Sequence, residues 1–430
     1  MQHPLAARKR ASASAALHIT CPFCALHCDD LAVEHVGARL KVTSTDCPKA
    51  TAGFGAEPVP VAPAVAGRRT TLDAAIAAAA EILRGGRAPL YAGLACDVAG
   101  MQAVLALAER TGGIVDHLHG DGLMRNILAL QDNGWIMTTL TELRNRADLI
   151  VFVGTDASAY PRFYERCVWN ERSLFDLDGG KRELVYVGAG LDTRAGIAPD
   201  GRRPTHIRCE KRRLGELIGA LRALLAGQRL DADSIAGVKR RALRQLVERL
   251  RVARYGAVVW APAELAYPHA ELTVEGVCAL VRSLNETTRF GGLALGGDDG
   301  GATAINVCAW QTGYPIRVGF GPGYPVYEPA RFATARLLAE GAVDRMLWIA
   351  ALSPEHRPPP SRVPLVVLGH PRLRLPRTPA VFIPVATPGL DHAGQVFRCD
   401  SVVALPLAKL RASPLPDVGS VVRAIAARLG

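Results

Sequence analysis

The sequence predicts an α/β protein with several mostly parallel sheets and a small β-rich lobe at its N-terminus. Short apolar runs bounded by Gly, Pro or Asp alternate with helical patterns, which is typical of βα units. Most of these runs are continuously apolar, as expected for strands that are covered on both faces. A chain of 430 residues, 49% of them hydrophobic and 21% charged, can bury a large core in two or three domains.

The N-terminal region divides into a tail, a lobe and a linker. Residues 1–17 start with a basic stretch and continue with an Ala/Ser run too short for a secretory signal, so we expect a flexible tail. In residues 18–56, apolar residues alternate on both sides of Gly37 and predict a hairpin inside a Cys-rich lobe. The Pro/Ala-rich run 57–66 predicts an extended linker.

The remaining chain is expected to form one α/β domain in 67–255, a second in 256–387 and a C-terminal segment in 388–430 that ends in a helix over 418–429. Strands are predicted at 90–92, 149–154, 184–188, 257–261, 346–351, 365–369 and 380–385. Helices are predicted at 72–83, 101–111, 214–226, 239–254, 274–284 and 330–340. The first helix illustrates the signals, because Thr71 can cap its start and Gly85 and Gly86 can end it.

Charge and composition limit the classes of partner. The formal net charge is +11, and basic residues concentrate in 202–203, 211–213 and 239–254. We interpret these stretches as solvated helix faces, with an acidic partner protein or a polyanionic small molecule as the alternative. Nucleic acid is not expected, because no nucleic-acid-binding module accompanies the charge. No apolar run reaches ~18 residues and the cysteines are unevenly spread, which favours reduced thiols, a cytoplasmic location and no membrane span.

The most informative motif consists of Cys21, Cys24, Cys28 and Cys47 in the spacing C-x2-C-x3-C-x18-C. The first three thiols lie on one tight loop and the fourth can come from a returning strand, so the pattern favours a [4Fe–4S] cluster. Zinc and metal-free thiols are the alternatives, although zinc sites more often use paired C-x2-C knuckles. Lys49 would place an ammonium group beside the cluster. The remaining cysteines are expected in the core.

The order of the motifs resembles that of the molybdopterin oxidoreductases, and among them the B subunit of formylmethanofuran dehydrogenase. The likeness runs over most of residues 18–410 and rests on the cysteine motif together with the stretches 116–156, 306–315 and 388–400. It implies a molybdopterin-oxidoreductase-like fold that holds one [4Fe–4S] cluster and a tungsten or molybdenum bis-molybdopterin group. The resemblance also implies a reaction, the interconversion of carbon dioxide and formate.

The chain departs from the family at the position of the metal ligand. The family has a cysteine or selenocysteine directly before a His-Gly pair, whereas Leu118 stands before His119 and Gly120 here. An isobutyl group has no lone pair for a metal, which argues against the redox reaction. The chain is therefore most similar to the B subunit of the bacterial formyltransferase/hydrolase complex, which runs without a redox step. This resemblance implies hydrolase and transferase subunits as partners and a formylated carrier with a polyglutamate-type tail.

No residue is assigned a catalytic role, because no triad order or metalloprotease motif is recognisable. His119 is interpreted as a hydrogen-bonded histidine beside a cavity. Arg162 follows a predicted strand, where crevices of α/β sheets form, and is interpreted as a contact to the pterin phosphate or as a structural ion pair. The glycine-rich stretch around Asp298 and Asp299 matches no phosphate-binding loop and is interpreted as a turn.

Three hypotheses of function follow from these residues. The first is the B subunit of a formyltransferase/hydrolase complex that has lost the redox chemistry. The second is the B subunit of an active tungsten or molybdenum formylmethanofuran dehydrogenase, which the complete set of four cysteines favours. The third is an iron–sulfur or zinc-binding protein with an electron-transfer or structural role and no relation to pterins.

Overall fold

The computed structural model describes residues 16–37, 39–170, 172–175 and 177–430. The strands are β1 (Ala16–Ile19), β2 (Leu31–Val36), β3 (Arg39–Val42), β4 (Ala64–Val65), β5 (Arg68–Arg69), β6 (Pro89–Ala95), β7 (Ile114–His117), β8 (Leu149–Val153), β9 (Glu183–Val187), β10 (Thr205–Ile207), β11 (Ser234–Ile235), β12 (Val238–Lys239), β13 (Gly256–Trp260), β14 (Phe290–Ala294), β15 (Val318–Gly319), β16 (Val326–Tyr327), β17 (Arg345–Ala350), β18 (Leu365–Gly369), β19 (Val381–Pro384), β20 (Gly394–Phe397) and β21 (Ala404–Leu407). The helices are α1 (Pro48–Phe54), α2 (Leu72–Arg84), α3 (Val98–Thr111), α4 (Gly120–Asn133), α5 (Leu140–Arg146), α6 (Leu214–Leu225), α7 (Arg240–Val252), α8 (Ala270–Leu284), α9 (Gly301–Thr312), α10 (Thr334–Ala339) and α11 (Val418–Ala427).

Two large sheets confirm the predicted mixed α/β class. One has nine strands in the order β16-β15-β7-β6-β17-β18-β19-β4-β5; its five central strands are parallel, and the strands at both edges are antiparallel. The other has the order β10-β9-β8-β13-β14 and is parallel throughout. Strands β6, β8 and β13 are buried along their whole length, which explains their continuous apolar sequences.

The sheets do not follow the boundary expected between residues 255 and 256. Strands β13 and β14 lie after this boundary in the chain, but they pair with β8 in the five-stranded sheet. Strands β17 to β19 return to the nine-stranded sheet, where β17 pairs with β6. The segment that forms the five-stranded sheet is therefore inserted between two parts of the nine-stranded one. Apolar runs predict strands but carry no information about which strand lies beside them.

The N-terminal lobe contains the predicted hairpin. Strands β2 and β3 pair antiparallel on either side of Gly37, whose φ of 64° is one that glycine adopts without strain. Strand β1 completes a three-stranded sheet, and α1 follows Cys47. Of the tail expected at 1–17, residues 1–15 lie outside the described part of the chain.

The carboxyl ends of the parallel strands in the two large sheets indicate where a ligand site can form. In each sheet the chain order reverses between neighbouring parallel strands, β8 and β13 in one and β6 and β17 in the other. Crevices outside the carboxyl ends of such strands are the usual ligand sites of open α/β sheets. Within the described ranges, no helix is both long enough and apolar enough to cross a membrane.

The C-terminal segment packs back onto the body of the chain. Val418, Val421, Val422 and Ile425 of α11 join the core that α2 and α3 share with the nine-stranded sheet. The Cys399 N–H donates to the carbonyl of Ala25 at 2.9 Å, which connects this segment to the N-terminal lobe.

Candidate functional site

The four cysteines of the N-terminal motif lie together and are all buried. The N–H of Cys21 donates to the carbonyl of Cys28 at 2.8 Å and closes the loop that carries the first three thiols. Cys47 stands at the start of α1, where its carbonyl accepts the N–H of Thr51 at 2.9 Å. The fold thus brings the fourth cysteine back to the loop, as the spacing predicts.

The thiols lie close enough to raise one another's pKa. Burial, followed by the neighbouring Cys24, raises the pKa of Cys21 well above its usual range, and Cys28 and Cys47 contribute in the same direction. Burial and the neighbouring Cys28 raise the pKa of Cys24 to about 12. Unligated thiols of this kind are protonated at neutral pH. A bound metal or cluster is what would hold them as thiolates.

The thiols stand too far apart to hold one zinc ion without moving. Tetrahedral zinc with Zn–S bonds of about 2.3 Å places its sulfur ligands roughly 3.8 Å apart. No three of these four described sulfurs lie within 4.8 Å of one another. A cubane cluster binds each thiolate at a different iron and so accepts sulfurs that stand further apart. The set of four thiol donors therefore suits a [4Fe–4S] cluster.

Arg162 lies beside the cysteine loop in an ion-pair network. Its guanidinium donates to the two carboxylate oxygens of Asp30 at 2.7 and 3.0 Å and to Glu165 at 2.7 Å, and the side chain is only 6% exposed. Its neighbour Arg166 donates to the carboxylate of Asp29 at 2.6 Å, and its charge lowers the pKa of the Cys28 thiol, which burial raises. These contacts correspond to the ion-pair interpretation of Arg162, whereas a contact to a pterin phosphate stays a prediction.

Lys49 lies near the cysteine loop, where its charge lowers the pKa of Cys24. Its ammonium group stands 5.7 Å from the centre of the Tyr160 ring. Together with Asp298, His356 and His370 it lines a cavity of about 540 Å³ between the N-terminal lobe and the large sheets. Lys49 is thus positioned between the thiols and this cavity.

The turn between β14 and α9 holds the cysteine loop in place. Asp298 accepts the N–H of Ala25 at 2.9 Å with one carboxylate oxygen and the hydroxyl of Tyr160 at 2.8 Å with the other. The following Gly300 has a φ of 78°, and a Cβ there would stand 2.7 Å from the carbonyl oxygen of Cys96. The predicted turn is present, and its glycine is needed for this close approach.

Asp299 lies in the same turn, and its carboxylate contacts two histidines. Its Oδ2 lies 2.9 Å from Nε2 of His119 and 2.8 Å from Nε2 of His356. Burial opposes the charge of Asp299, but the hydrogen bonds from the two histidines lower its pKa below the usual range. His117 supports the group, because its Nε2 lies 3.1 Å from the carbonyl of Asp299 and its Nδ1 accepts the N–H of His119 at 3.1 Å.

The loop that carries His119 is anchored by a buried carboxylate at the end of β7. Asp116 lies 3.2 Å from the Nε of Arg317 and accepts both the N–H and the hydroxyl of Thr334 at 2.8 Å. Leu118 is partly buried and packs against the core beneath the parallel strands. It also lines a cavity of about 480 Å³ together with His119. The residue at the expected metal-ligand position therefore offers no donor atom, so the site does not fit a pterin metal bound through this residue.

The sequence interpretation did not identify the roles of Asp298, Asp299 and His356. Asp298 and Asp299 follow β14, and His356 follows β17, so all three stand on loops beyond the carboxyl ends of parallel strands. This position is a usable signal for His356, because the apolar run at 346–351 predicts the preceding strand. It is not a usable signal for the two aspartates, because the sequence does not predict β14.

Fold and site together define an α/β protein in which a four-cysteine lobe and a His–Asp–His group lie at the carboxyl ends of the parallel strands of two sheets. No protein-family profile matches the chain. The B subunit of the formyltransferase/hydrolase complex Fhc of Methylorubrum extorquens is 33% identical over 303 residues, which cover 68% of this chain and 75% of the relative. The B subunit of the tungsten-containing formylmethanofuran dehydrogenase 2 of Methanocaldococcus jannaschii is 29% identical over 401 residues, which cover 90% of this chain and 91% of the relative.

A solved structure shows the same likeness in three dimensions. One polypeptide in the crystal structure of the formyltransferase/hydrolase complex FhcABCD of Methylorubrum extorquens, determined with methylofuran, matches with a TM-score of 0.70 and 29% identity. The match covers 86% of this chain and 98% of that one. The chain belongs to the family of B subunits of formyltransferase/hydrolase complexes.

Proposed function

We propose that the chain is the B subunit of a formyltransferase/hydrolase complex of one-carbon metabolism and that it performs no pterin-dependent redox step itself. In this complex it supports hydrolase and transferase subunits while they release formate from a formylated carrier. Leu118 supports the absence of a redox step, because its aliphatic side chain lines the cavity at the position where the redox family needs a metal ligand.

The finer fold assignment is also a proposal. The strand orders of both parallel sheets, the N-terminal four-cysteine lobe and the crevices between them support a molybdopterin-oxidoreductase-like architecture. In such an architecture the lobe covers the carboxyl ends of the sheets. The hydrogen bond from Ala25 to Asp298 makes this connection here.

Cys21, Cys24, Cys28 and Cys47 are the residues that would hold a [4Fe–4S] cluster. A bound cluster supplies one-electron transfer or a structural cross-link. The chain's own contribution is to keep the thiols away from water and to balance their charge. Arg166 lowers the pKa of Cys28 by its charge, and Lys49 lowers that of Cys24, although burial is the dominant cause for both thiols and raises their pKa.

The basic helix α7 supports an acidic partner or carrier tail. Leu243, Leu246, Val247 and Leu250 bury one face of this helix in the core. The opposite face presents arginines to solvent, and some of these are paired with acids, as Arg251 is with Glu248 at 3.1 Å. The remaining positive charge suits a polyglutamate-type tail of the carrier.

The test is to produce the chain together with the hydrolase and transferase subunits of such a complex from the same source. We expect a stable complex that releases formate from the formylated carrier, contains no stoichiometric tungsten or molybdenum, and fails to oxidise formate with a viologen acceptor. Failure of the chain to assemble with those subunits would refute its assignment to such a complex.

One observation favours a second candidate, the B subunit of an active formylmethanofuran dehydrogenase. All four cysteines that would hold a cluster are present and buried together, although a purely structural role does not need a cluster. Stoichiometric tungsten or molybdenum with viologen-linked formate oxidation would establish this candidate and exclude the first.

A further inference from the structure

We propose that His119, Asp299 and His356 form a binding site for one divalent transition-metal ion of the zinc class, separate from the four cysteines and independent of any pterin. Two imidazole nitrogens and one carboxylate oxygen are a common donor set for Zn²⁺, Fe²⁺ and Co²⁺. Among the described residues, these three form the one group of histidine, cysteine or acidic side chains whose ligand atoms all lie within 4.8 Å of one another. The inference goes beyond the proposed function, which uses none of these residues as ligands.

The distances between the donor atoms suit a metal. Two ligands at about 2.1 Å from a metal are roughly 3.0 Å apart at octahedral angles and roughly 3.4 Å apart at tetrahedral angles. The two Nε2 atoms of His119 and His356 lie 2.9 and 2.8 Å from Oδ2 of Asp299. A small adjustment of the side chains would therefore place an ion between all three donors.

The donors come from three different connections, which makes the site a product of the tertiary fold. His119 follows β7, Asp299 follows β14 and His356 lies in the loop after β17. The loop that carries His119 is fixed through Asp116 and Arg317, and the backbone of Asp299 is fixed by His117. Such supporting hydrogen bonds orient ligands before the metal arrives.

The site is accessible to an ion. The side chains of His119, Asp299 and His356 are 36%, 18% and 25% exposed. His119 and His356 also line the cavity of about 480 Å³ described above, so water can complete the coordination. Mg²⁺ and Ca²⁺ prefer all-oxygen sites and are not expected to compete well here.

The alternative is a carboxylate that simply accepts one hydrogen bond from each imidazole. In that case both Nε2 atoms keep their protons and no ion is bound. Metal titration of the full chain separates the two cases, and Co²⁺ is the most informative probe. A cobalt ion held by nitrogen and oxygen gives weak visible bands, whereas a cobalt ion held by the four thiols gives intense sulfur charge-transfer absorption.

We expect the metal-stripped protein to bind one Co²⁺ without the sulfur bands. The single variants H356A and D299N should each weaken this binding by on the order of 100-fold. His269 offers a matched control, because it is exposed and lies outside the group, and its φ of 58° is one that asparagine tolerates. H269N should bind Co²⁺ like the wild type. Unchanged affinity in folded H356A and D299N would overturn the proposal.

A second measurement does not depend on the folding of any variant. Crystals of the wild-type chain soaked in Zn²⁺ should show anomalous density at the zinc edge between His119, Asp299 and His356. Density at the four cysteines alone, or none at all, would show that Asp299 only bridges the two histidines by hydrogen bonds.

Discussion

Asp298 and Asp299 are neighbours in the chain, but their carboxylates serve different groups. That of Asp298 accepts the N–H of Ala25 in the cysteine loop at 2.9 Å. That of Asp299 lies 2.9 and 2.8 Å from the Nε2 atoms of His119 and His356. A single turn therefore contacts both the N-terminal lobe and the histidine group. A substitution in this turn is expected to alter the contacts of both.

Substitution of Asp298 should loosen the cysteine lobe. In Asp298→Ala, the buried N–H of Ala25 and the hydroxyl of Tyr160 both lose their acceptor, so we expect the free energy of unfolding to fall by about 2–4 kcal/mol. Asp298→Asn retains one carbonyl oxygen and should lose about half as much. Urea unfolding measures both, and equal stability of the alanine variant and the wild type would contradict the role of this turn.

The cysteine site is tested by anaerobic purification and metal analysis. We expect about four iron atoms per chain and broad visible absorption, and we expect Cys24→Ser to lose most of both. Cys278 is a suitable control because it is buried in α8, within the core of the five-stranded sheet. Cys278→Ser should keep its iron. Iron-free protein that contains zinc, or no metal, would leave only the zinc or free-thiol interpretation.

A buried arginine should contribute strongly to stability. The guanidinium of Arg182 is 1% exposed and donates to the carbonyls of Cys167, Val168 and Arg144 and to the side chain of Asn170. Arg182→Met leaves these acceptors unpaired, so the free energy of unfolding should fall by about 3–5 kcal/mol.

The matched control for this prediction is Arg194→Met. Arg194 pairs with Asp192 on the open surface, and its side chain is 88% exposed. Exposed ion pairs of this kind contribute little, so thermal unfolding of the control should coincide with that of the wild type. Comparable unfolding of both variants would show that the carbonyl contacts of Arg182 are unimportant.

His370 should make the protein less stable in mild acid. Burial lowers its pKa to about 4, even though the charge of Asp391 raises it, and Arg372 and Arg411 add to the lowering. In the unfolded chain the pKa is about 6.5. Between these values the unfolded state binds more protons, so the free energy of unfolding decreases as pH falls and has lost about 3 kcal/mol at pH 4 from this group.

The variant His370→Asn isolates this contribution. Asparagine does not titrate, and its side-chain oxygen can replace Nδ1, which accepts the N–H of Arg372 at 3.1 Å. Urea unfolding between pH 7.5 and 4 should show a shallower decline for the variant than for the wild type. Parallel curves would mean that His370 is protonated in the folded protein as readily as in the unfolded one.

Local patterns predict the elements that depend on local chemistry. All seven predicted strands are present within one or two residues at most ends, because buried parallel strands are short apolar runs with clear boundaries. The helix expected at 330–340 is shorter, and several elements are not predicted by the sequence, among them β7, β14, α4, α5 and α9. Strands β7 and β14 contain Asp116, His117, Gly291 and Gly292, so their apolar character is interrupted.

Trp310 shows that the local sequence also does not determine how exposed a side chain is. It lies on a helix, but its side chain is 60% exposed and contacts Phe397 edge-on, with the ring centres 5.0 Å apart. An aromatic residue in a helix indicates an apolar contact without saying how much of the ring that contact covers.

By itself the sequence determined the α/β class and the four-cysteine lobe, since both can be recognised from neighbouring residue types and their spacing. The missing donor at Leu118 followed from the resemblance to a known family, because only that comparison marks the position as one for a metal ligand. Only the tertiary structure decided which strands share a sheet and which loops meet at their ends. His119, Asp299 and His356 are separated by 180 and 57 positions along the chain. Their donors converge because the parallel strands that precede them all point their carboxyl ends into one crevice, and no local pattern encodes that convergence.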